Sequence, residues 1–347
     1  MRILKLKKED LPSFLESVKK FGKLVGPIRK GSKLVFDEID DYNMLVLTAE
    51  KPMIPPKKFF VPPKFSMFKF DKNGFENNLG KSEKLIIFGL HPCDIHAINI
   101  LDKFFLKNAG YTDPYYEERR KNTIIIGHSC IPNEKCLCNA THTDIVYEGF
   151  DLFFTDLGDF YLIWVATSVG DDLTREKIEI FDEDIKPQDI KRYIDWRDQR
   201  NSKFTVNMDF RIMPDIMEIS YDSKVWDEMA EKCLSCGSCT MVCPTCNCYN
   251  VVDELEVSTE IKGERVRYWD SCMFREYSLV AGGHNFREAR ADRLKLWYTH
   301  KLRAYMEAYG SPGCVGCGRC VEYCPVDINV LSVARALLRE REVCKEC

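Results

Sequence analysis

Long apolar runs are absent from this chain of 347 residues. The longest, such as 85–90 and 161–166, are far too short to cross a bilayer. The first ten residues are charged and lack the apolar core of a secretory signal. These absences predict a cytoplasmic protein with no membrane span, in a compartment that keeps thiols reduced.

An excess of charge of one sign is also absent, because 50 Lys and Arg residues face 54 Asp and Glu residues, for a net charge of −4. The two signs are interspersed, so the chain has no basic footprint for a nucleic acid partner. A GxGxxG motif, a Walker loop and a Ser-His-Asp set are missing as well. Nucleotide binding and hydrolysis are therefore not expected of this chain.

Cysteine is missing from residues 1–92 and 139–232, yet the chain holds 17 cysteines in all. Four lie between Cys93 and Cys138, and the other thirteen begin at Cys233. This distribution places the main boundary near residues 215–225. We predict an α+β protein of two domains, an N-terminal α/β domain (1–218) and a mainly α-helical domain (219–347).

Local patterns support both assignments. Residues 85–89 and 123–127 are short β-branched runs typical of buried strands, and 94–105 has the periodicity of a helix that Asp94 caps. Residues 152–155 and 160–167 predict a hairpin.

Two further segments are distinctive. Residues 51–63 contain five prolines, so we predict an extended loop without helix. Residues 291–309 predict an amphipathic helix that ends at Gly310, and 328–341 predict another.

The cysteines in the last third fall mainly into two runs with the same spacing, CxxCxxCxxxCP. The runs are Cys233, Cys236, Cys239 and Cys243, then Cys314, Cys317, Cys320 and Cys324. This is the ligand spacing of a [4Fe–4S] cubane, and a pair of runs is typical of a two-cluster ferredoxin module, in which the fourth cysteine ligates the other cluster.

The spacing therefore predicts two ligand sets. Cluster 1 is assigned Cys233, Cys236, Cys239 and Cys324, and cluster 2 is assigned Cys314, Cys317, Cys320 and Cys243. Structural zinc is the alternative, although zinc sites typically use separated pairs of cysteines. A disulfide framework belongs to short secreted chains, which this is not.

A second group of cysteines follows two predicted strands. Cys93 and Cys130 each come just after a strand, and Cys136 and Cys138 lie in the same loop as Cys130. Loops after parallel strands meet at one sheet edge, so these four thiols can converge there. The alternatives are a third [4Fe–4S] cluster, a four-cysteine zinc site, or buried free thiols.

Five cysteines and one histidine remain without a firm assignment. Three of these cysteines, Cys246, Cys248 and Cys272, lie close to the first run. They are interpreted as free thiols near a cluster, as a substitute for one of the predicted ligands, or as a three-thiol site with an open position. His284 is either a loop histidine or a hydrogen-bond donor to a cluster. Cys344 and Cys347 end the chain and are interpreted as adventitious thiols.

The cysteine-rich segment resembles a known family. The string CLSCGSCTMVCPTCNCY (233–249), together with WDSC (269–272), AGGHNFR (281–287) and CVGCGRC (314–320), is similar to the β subunit of archaeal cytoplasmic sulfhydrogenases and to the electron-transfer subunit of anaerobic sulfite reductase. The segments MIPPKKFF (53–60), IFGLHPCD (87–94) and IGHSC (126–130) extend the likeness upstream.

The resemblance implies an iron–sulfur subunit of an oxidoreductase complex that is not itself catalytic. It implies two [4Fe–4S] clusters on the eight ferredoxin-type cysteines and favours a third on the upstream four. Its partners would be a flavin subunit that handles NAD(P)H and a [NiFe] hydrogenase module. The alternatives are the electron-transfer subunit of an anaerobic sulfite reductase and, in another class, a zinc-stapled interaction scaffold.

Overall fold

A computed structural model of the protein describes residues 2–107, 110–256 and 261–343. The chain divides into two compact units. Unit 1 comprises Met1–Phe60 and Leu79–Asn207, and unit 2 comprises Val61–Asn78 and Met208–Cys347. The division into domains 1–218 and 219–347 stays a prediction. When the chain is divided by the contacts between its residues, unit 1 ends at Asn207 and Val61–Asn78 belongs with the C-terminal part.

The described ranges contain strands in both units. In chain order they are β1 Arg2–Lys7, β2 Lys23–Lys30, β3 Lys33–Glu38, β4 Lys64–Asp71, β5 Gly74–Asn77, β6 Leu85–Leu90, β7 Thr123–His128, β8 Leu152–Asp156, β9 Phe160–Val165, β10 Phe181–Asp182, β11 Tyr249–Leu255 and β12 Gly263–Trp269.

The α-helices of the same ranges are distributed over both units and are most frequent after residue 185. They are α1 Leu11–Val18, α2 Lys57–Phe60, α3 Pro92–Lys107, α4 Pro114–Lys121, α5 Ser168–Arg175, α6 Pro187–Asn201, α7 Met213–Ile219, α8 Val225–Lys232, α9 Ser238–Met241, α10 Arg290–Thr299, α11 Tyr305–Tyr309, α12 Arg319–Glu322 and α13 Val330–Val343. The predicted fold class, an α/β part followed by a mainly helical part, is confirmed.

Unit 1 is built on an eight-stranded mixed sheet in the order β10-β1-β9-β8-β7-β6-β2-β3. The central strands β2, β6, β7 and β8 run parallel to one another, and β8 and β9 form the predicted antiparallel hairpin. The apolar side chains of β6 and β7 are buried because the sheet is covered on both faces. Parallel pairing brings the carboxyl ends of β6 and β7 to the same edge.

A glycine redirects the chain at that edge. Gly89 has φ of +78°, and a Cβ atom there would lie 3.0 Å from side-chain atoms of Leu47 and Pro27. Both the left-handed backbone and the close neighbours therefore favour glycine. Gly89 interrupts the pairing of β6 with β7, and the chain continues from there into α3. Helix α3 begins two residues before the predicted helix start.

The proline-rich segment differs from its prediction. It was expected to lack helix, but α2 forms one turn directly after Pro55 and Pro56. The amides of Lys58 and Phe59 bond to the carbonyls of these two prolines. Proline is tolerated in a first helical turn because its missing N–H has no partner there in any case.

Unit 2 combines helices with a small antiparallel sheet in the order β11-β12-β4-β5. Sequence patterns did not indicate this sheet, since β4 pairs not only with its neighbour β5 but also with β12, almost 200 residues later in the chain. The helix predicted over 291–309 is present as α10 and α11, joined by a π-helix at His300–Ala304, and it ends at Gly310 as predicted. In the described ranges no helix is both long and apolar enough to span a bilayer.

Candidate iron–sulfur sites

The two ferredoxin-type runs adopt the same local backbone. Ser235 and Gly316 occupy the same place in their runs and have φ of 50° and 56°. Gly237 and Gly318, two residues further on, have φ of 72° and 78° and lead into the short helices α9 and α12. These left-handed turns curl each run, so that its first three thiols face a common centre.

Backbone amides point at the sulfur atoms in these turns. The N–H···S bonds run from Ser235 to Cys233 (3.4 Å), from Gly316 to Cys314 (3.4 Å) and from Ile328 to Cys324 (3.2 Å). Such donors favour thiolates and, in iron–sulfur proteins, help to set the potential of the cluster.

One small cavity gathers the ligands assigned to cluster 1. The cavity, of about 30 Å³, is lined by all four of these cysteines, Cys233, Cys236, Cys239 and Cys324. Met273 and Tyr298 form part of its wall. Cys324 therefore lies with the first run, the exchange that the paired motif predicts.

The cysteines assigned to cluster 2 lie together as well. Burial raises the pKa of Cys314 to about 12, with Cys243 and Cys317 adding to the effect. The pKa of Cys320 is likewise raised by burial and by its neighbours Cys314, Cys317 and Cys243. Crowding and burial therefore favour the protonated thiols of Cys314 and Cys320 when no metal centre is bound.

The two cysteine sets are neighbours within unit 2. Cys239 of the first set contributes to the raised pKa of Cys320 in the second. Tyr298 is fully buried beside cysteines of both sets, Cys239 and Cys320 among them, and its pKa is raised by burial and then by these thiols. Its ring stacks on Trp226 at a centroid separation of 6.2 Å. Two cluster sites that lie next to each other among buried aromatic side chains are suited to electron exchange.

Lys301 is a buried charged residue near the second cysteine set that sequence reasoning missed. It lies in the π-helix, and its buried ammonium donates to Thr245 Oγ1 (2.8 Å) and to the Gly313 carbonyl (2.9 Å). Burial alone would lower its pKa, but neighbouring thiols, Cys243 and Cys314 among them, raise it well above the usual value. A buried cation therefore lies beside the second cysteine set, where it would stabilise thiolates bound to a metal centre.

Unit 1 brings together the four upstream thiols. Cys93 lies in the first turn of α3, directly after β6, and Cys130 follows β7. Cys136 and Cys138 lie in the loop after β7, where Thr143 bonds to the Cys138 carbonyl. All four are buried. Burial raises the pKa of Cys130 to about 11, and burial together with the nearby Cys130 and Cys136 raises that of Cys138.

A half-buried lysine also accompanies these thiols. Lys51 Nζ donates to Cys136 Sγ at 3.1 Å. Burial would lower the pKa of Lys51, but Cys93, Cys136 and Cys130 raise it above the usual value. Arg200 of α6 anchors the same loop, since its Nε donates to the Cys130 carbonyl at 3.0 Å. Lys51 would thus offset part of the charge that a thiolate-bound centre brings, whereas the Arg200 guanidinium pairs with Asp144 at 3.1 Å.

The donor sets fit iron–sulfur cubanes. Each of the three groups offers four sulfur atoms, the ligand type that [4Fe–4S] clusters use. Among the described residues, no three His, Cys, Asp or Glu side chains converge closely enough to hold a single metal ion. The fit therefore rests on the all-sulfur chemistry and on the cavity shared by the first set.

The unassigned residues fall into different surroundings. Cys272 is buried, while Cys246 and Cys248 are half-buried. His284 is exposed, and its ring lies edge-on to that of Phe286 at a centroid separation of 4.7 Å. Cys344 and Cys347 lie outside the described residues.

Comparison with known proteins agrees with this geometry. Residues 232–328 match the family model of a 4Fe-4S dicluster domain. The chain is also 41% identical over 333 residues to sulfhydrogenase 2 subunit beta of Pyrococcus furiosus, a match that covers 96% of this chain and 97% of that protein. The C-terminal part is thus a domain for two [4Fe–4S] clusters, whose chemistry is electron transfer. The protein belongs to the sulfhydrogenase beta subunit family.

Proposed function

We propose that this chain relays single electrons between a flavin subunit, which binds NAD(P)H, and a [NiFe] hydrogenase module of one heteromeric complex. The proposal rests mainly on the cavity that Cys324 lines together with the first cysteine run, close to the second cysteine set. A [4Fe–4S] cluster accepts and releases one electron at a time. The family membership supports the identity of the complex.

In this proposal the cysteines serve as cluster ligands. Cys233, Cys236, Cys239 and Cys324 bind cluster 1, and Cys314, Cys317, Cys320 and Cys243 bind cluster 2. The amide of Gly316 and the ammonium of Lys301 stabilise negative charge near the second set. Cys236 is exposed and Leu234 beside it is 60% exposed, so electrons enter or leave unit 2 most directly there.

A third [4Fe–4S] cluster on Cys93, Cys130, Cys136 and Cys138 belongs to the same proposal. Four buried thiols with a lysine hydrogen-bonded among them support it. Lys51 would neutralise part of the negative charge of the bound centre. The cytoplasmic location is proposed with it, since reduced thiols persist in that compartment.

The test is the composition of the native complex. An affinity tag on this chain, purified without oxygen from its own cells, is expected to retain one partner that contains flavin and another that contains nickel. Metal analysis and the flavin and haem absorption spectra give the result. Sirohaem without nickel would instead assign the chain to a sulfite reductase, and a colourless zinc protein would make it a scaffold.

A further inference from the structure

Unit 1 contains a cavity of about 170 Å³ between its sheet and helix α6. Strands β8 and β9 supply Phe153 and Trp164, which are register partners and therefore share one face of the sheet. Helix α6 supplies residues at positions 193, 196, 197 and 200, a spacing that places them on one face of the helix. Tyr147 also lines the cavity and is 72% exposed, so the cavity opens to solvent on that side.

Aromatic rings dominate the walls of this cavity. The ring of Tyr193 stacks on that of Trp196 at a centroid separation of 6.2 Å and lies edge-on to that of Trp164 at 6.0 Å. The rings of Phe150 and Phe153 pack against each other at 5.3 Å. Such walls favour a flat apolar ligand, because its faces and edges can pack against rings that are already in place.

The volume of the cavity limits the size of its ligand. A cavity of about 150 Å³ is enough for one benzene molecule, whereas the pockets of drug-sized ligands measure roughly 300–1,000 Å³. At about 170 Å³, this cavity fits a single six-membered ring with small substituents and excludes a flavin or a nucleotide.

The charges around the cavity favour an anion. The charge of Arg200 is balanced, because its Nη1 donates at 3.1 Å to Asp144, a carboxylate that also lines the cavity. Arg197 lines the same cavity, and among the described residues no carboxylate forms an ion pair with it. Its guanidinium lies 5.9 Å from the centre of the Tyr193 ring. One positive charge at the cavity is therefore uncompensated.

A buried hydroxyl at the cavity also lacks a partner. Ser129 lines the cavity and is 7% exposed, and its Oγ makes no hydrogen bond within the described part of the chain. Its backbone N–H, by contrast, donates to the Phe154 carbonyl at 2.8 Å. An unpaired buried hydroxyl costs free energy, and a ligand oxygen that forms the missing hydrogen bond recovers this cost.

We propose that this cavity binds an aromatic carboxylate with a single six-membered ring and a polar ring substituent. The aromatic walls hold the ring, Arg197 pairs with the carboxylate, and the Ser129 hydroxyl bonds to the polar substituent. The ligand lies next to the upstream cysteines, because Pro92 and Ser129 of the cavity directly precede Cys93 and Cys130. The inference does not depend on the electron relay, since the walls are formed by residues other than the cysteines.

The test uses the full chain purified without oxygen and titrated with 4-hydroxybenzoate in an anaerobic calorimeter. We expect saturable binding of one molecule per chain, with a dissociation constant below about 1 mM. The neutral 4-hydroxybenzyl alcohol keeps the ring but lacks the charge, so it is expected to bind about tenfold more weakly. Cyclohexanecarboxylate keeps the charge but lacks the aromatic ring, and a weakening of about fivefold is expected.

Variants of the cavity residues locate the binding. Arg197→Gln is expected to weaken binding of 4-hydroxybenzoate about tenfold and to leave binding of the alcohol unchanged, because it removes the charge that meets the carboxylate. Ser129→Ala is expected to weaken both ligands about fivefold, since both carry the 4-hydroxyl group. Arg192→Gln is the matched control and should change neither affinity, because Arg192 lies on the same helix but pairs with Asp159 outside the cavity.

Four outcomes would overturn the proposal. Lack of saturable binding up to about 10 mM 4-hydroxybenzoate would remove the site. Equal affinities for the acid and the alcohol would contradict an anionic ligand, and equal affinities for the acid and cyclohexanecarboxylate would contradict an aromatic one. Equal weakening in Arg197→Gln and Arg192→Gln would place the binding outside this cavity. The ligand series is measured on the unmodified chain, so it decides the ligand class even if a variant fails to fold.

Discussion

Cys236→Ala and Cys324→Ala are each expected to remove the same cluster, with a loss of about four iron atoms per chain. These residues are far apart in sequence, but they line one cavity together with Cys233 and Cys239. Removing either thiolate leaves three ligands for a cubane that requires four. The measurement is iron and acid-labile sulfide under argon, with low-temperature electron spin resonance of the reduced protein.

The pairing of the variants is the decisive comparison. Cys236→Ala and Cys324→Ala should lose the same resonance signal, whereas Cys317→Ala and Cys243→Ala should lose the other. Cys246→Ser is the control and should retain both signals. If Cys324→Ala matched Cys317→Ala instead, each run would bind its own cluster and the exchanged assignment would be wrong. In the complex, unchanged hydrogen production from NADPH in Cys236→Ala or Cys317→Ala would contradict the relay.

Cys93→Ala is expected to lower iron by about four atoms per chain while both C-terminal signals persist. The physical reason is that Cys93 belongs to a buried set of four thiols around Lys51 in unit 1, whereas the ferredoxin-type cysteines lie in unit 2. The same iron and resonance measurements check it.

A matched control is available at the same sheet edge. Ser129→Ala changes a buried residue next to Cys130 without removing a thiol, so it should keep all of the iron. Unaltered iron in Cys93→Ala would leave two clusters and reduce the upstream cysteines to buried thiols. Equal iron loss in both variants would indicate damage to the fold rather than loss of a ligand.

Short-range patterns predicted most of what positions the sites. The buried strands β6 and β7 were recognisable from their apolar runs, and the parallel arrangement that gathers Cys93 and Cys130 follows from where such strands end. The repeated CxxCxxCxxxCP spacing indicated two sites because the covalent chain itself sets the separation of the ligands.

Long-range features escaped the sequence reading. Lys51 and Lys301 are ordinary lysines in the sequence, and only the fold places them beside thiols. The pairing of β11 with β12 belongs to a sheet that the distant segment Val61–Asn78 completes. Local propensity carries no signal for such contacts.

The central claim is that the thiols of this chain hold iron–sulfur cubanes. Iron and acid-labile sulfide, counted per chain in protein purified without oxygen, test it most directly. The account predicts about twelve of each, four for every cluster. Protein that contains zinc and no labile sulfide would contradict it.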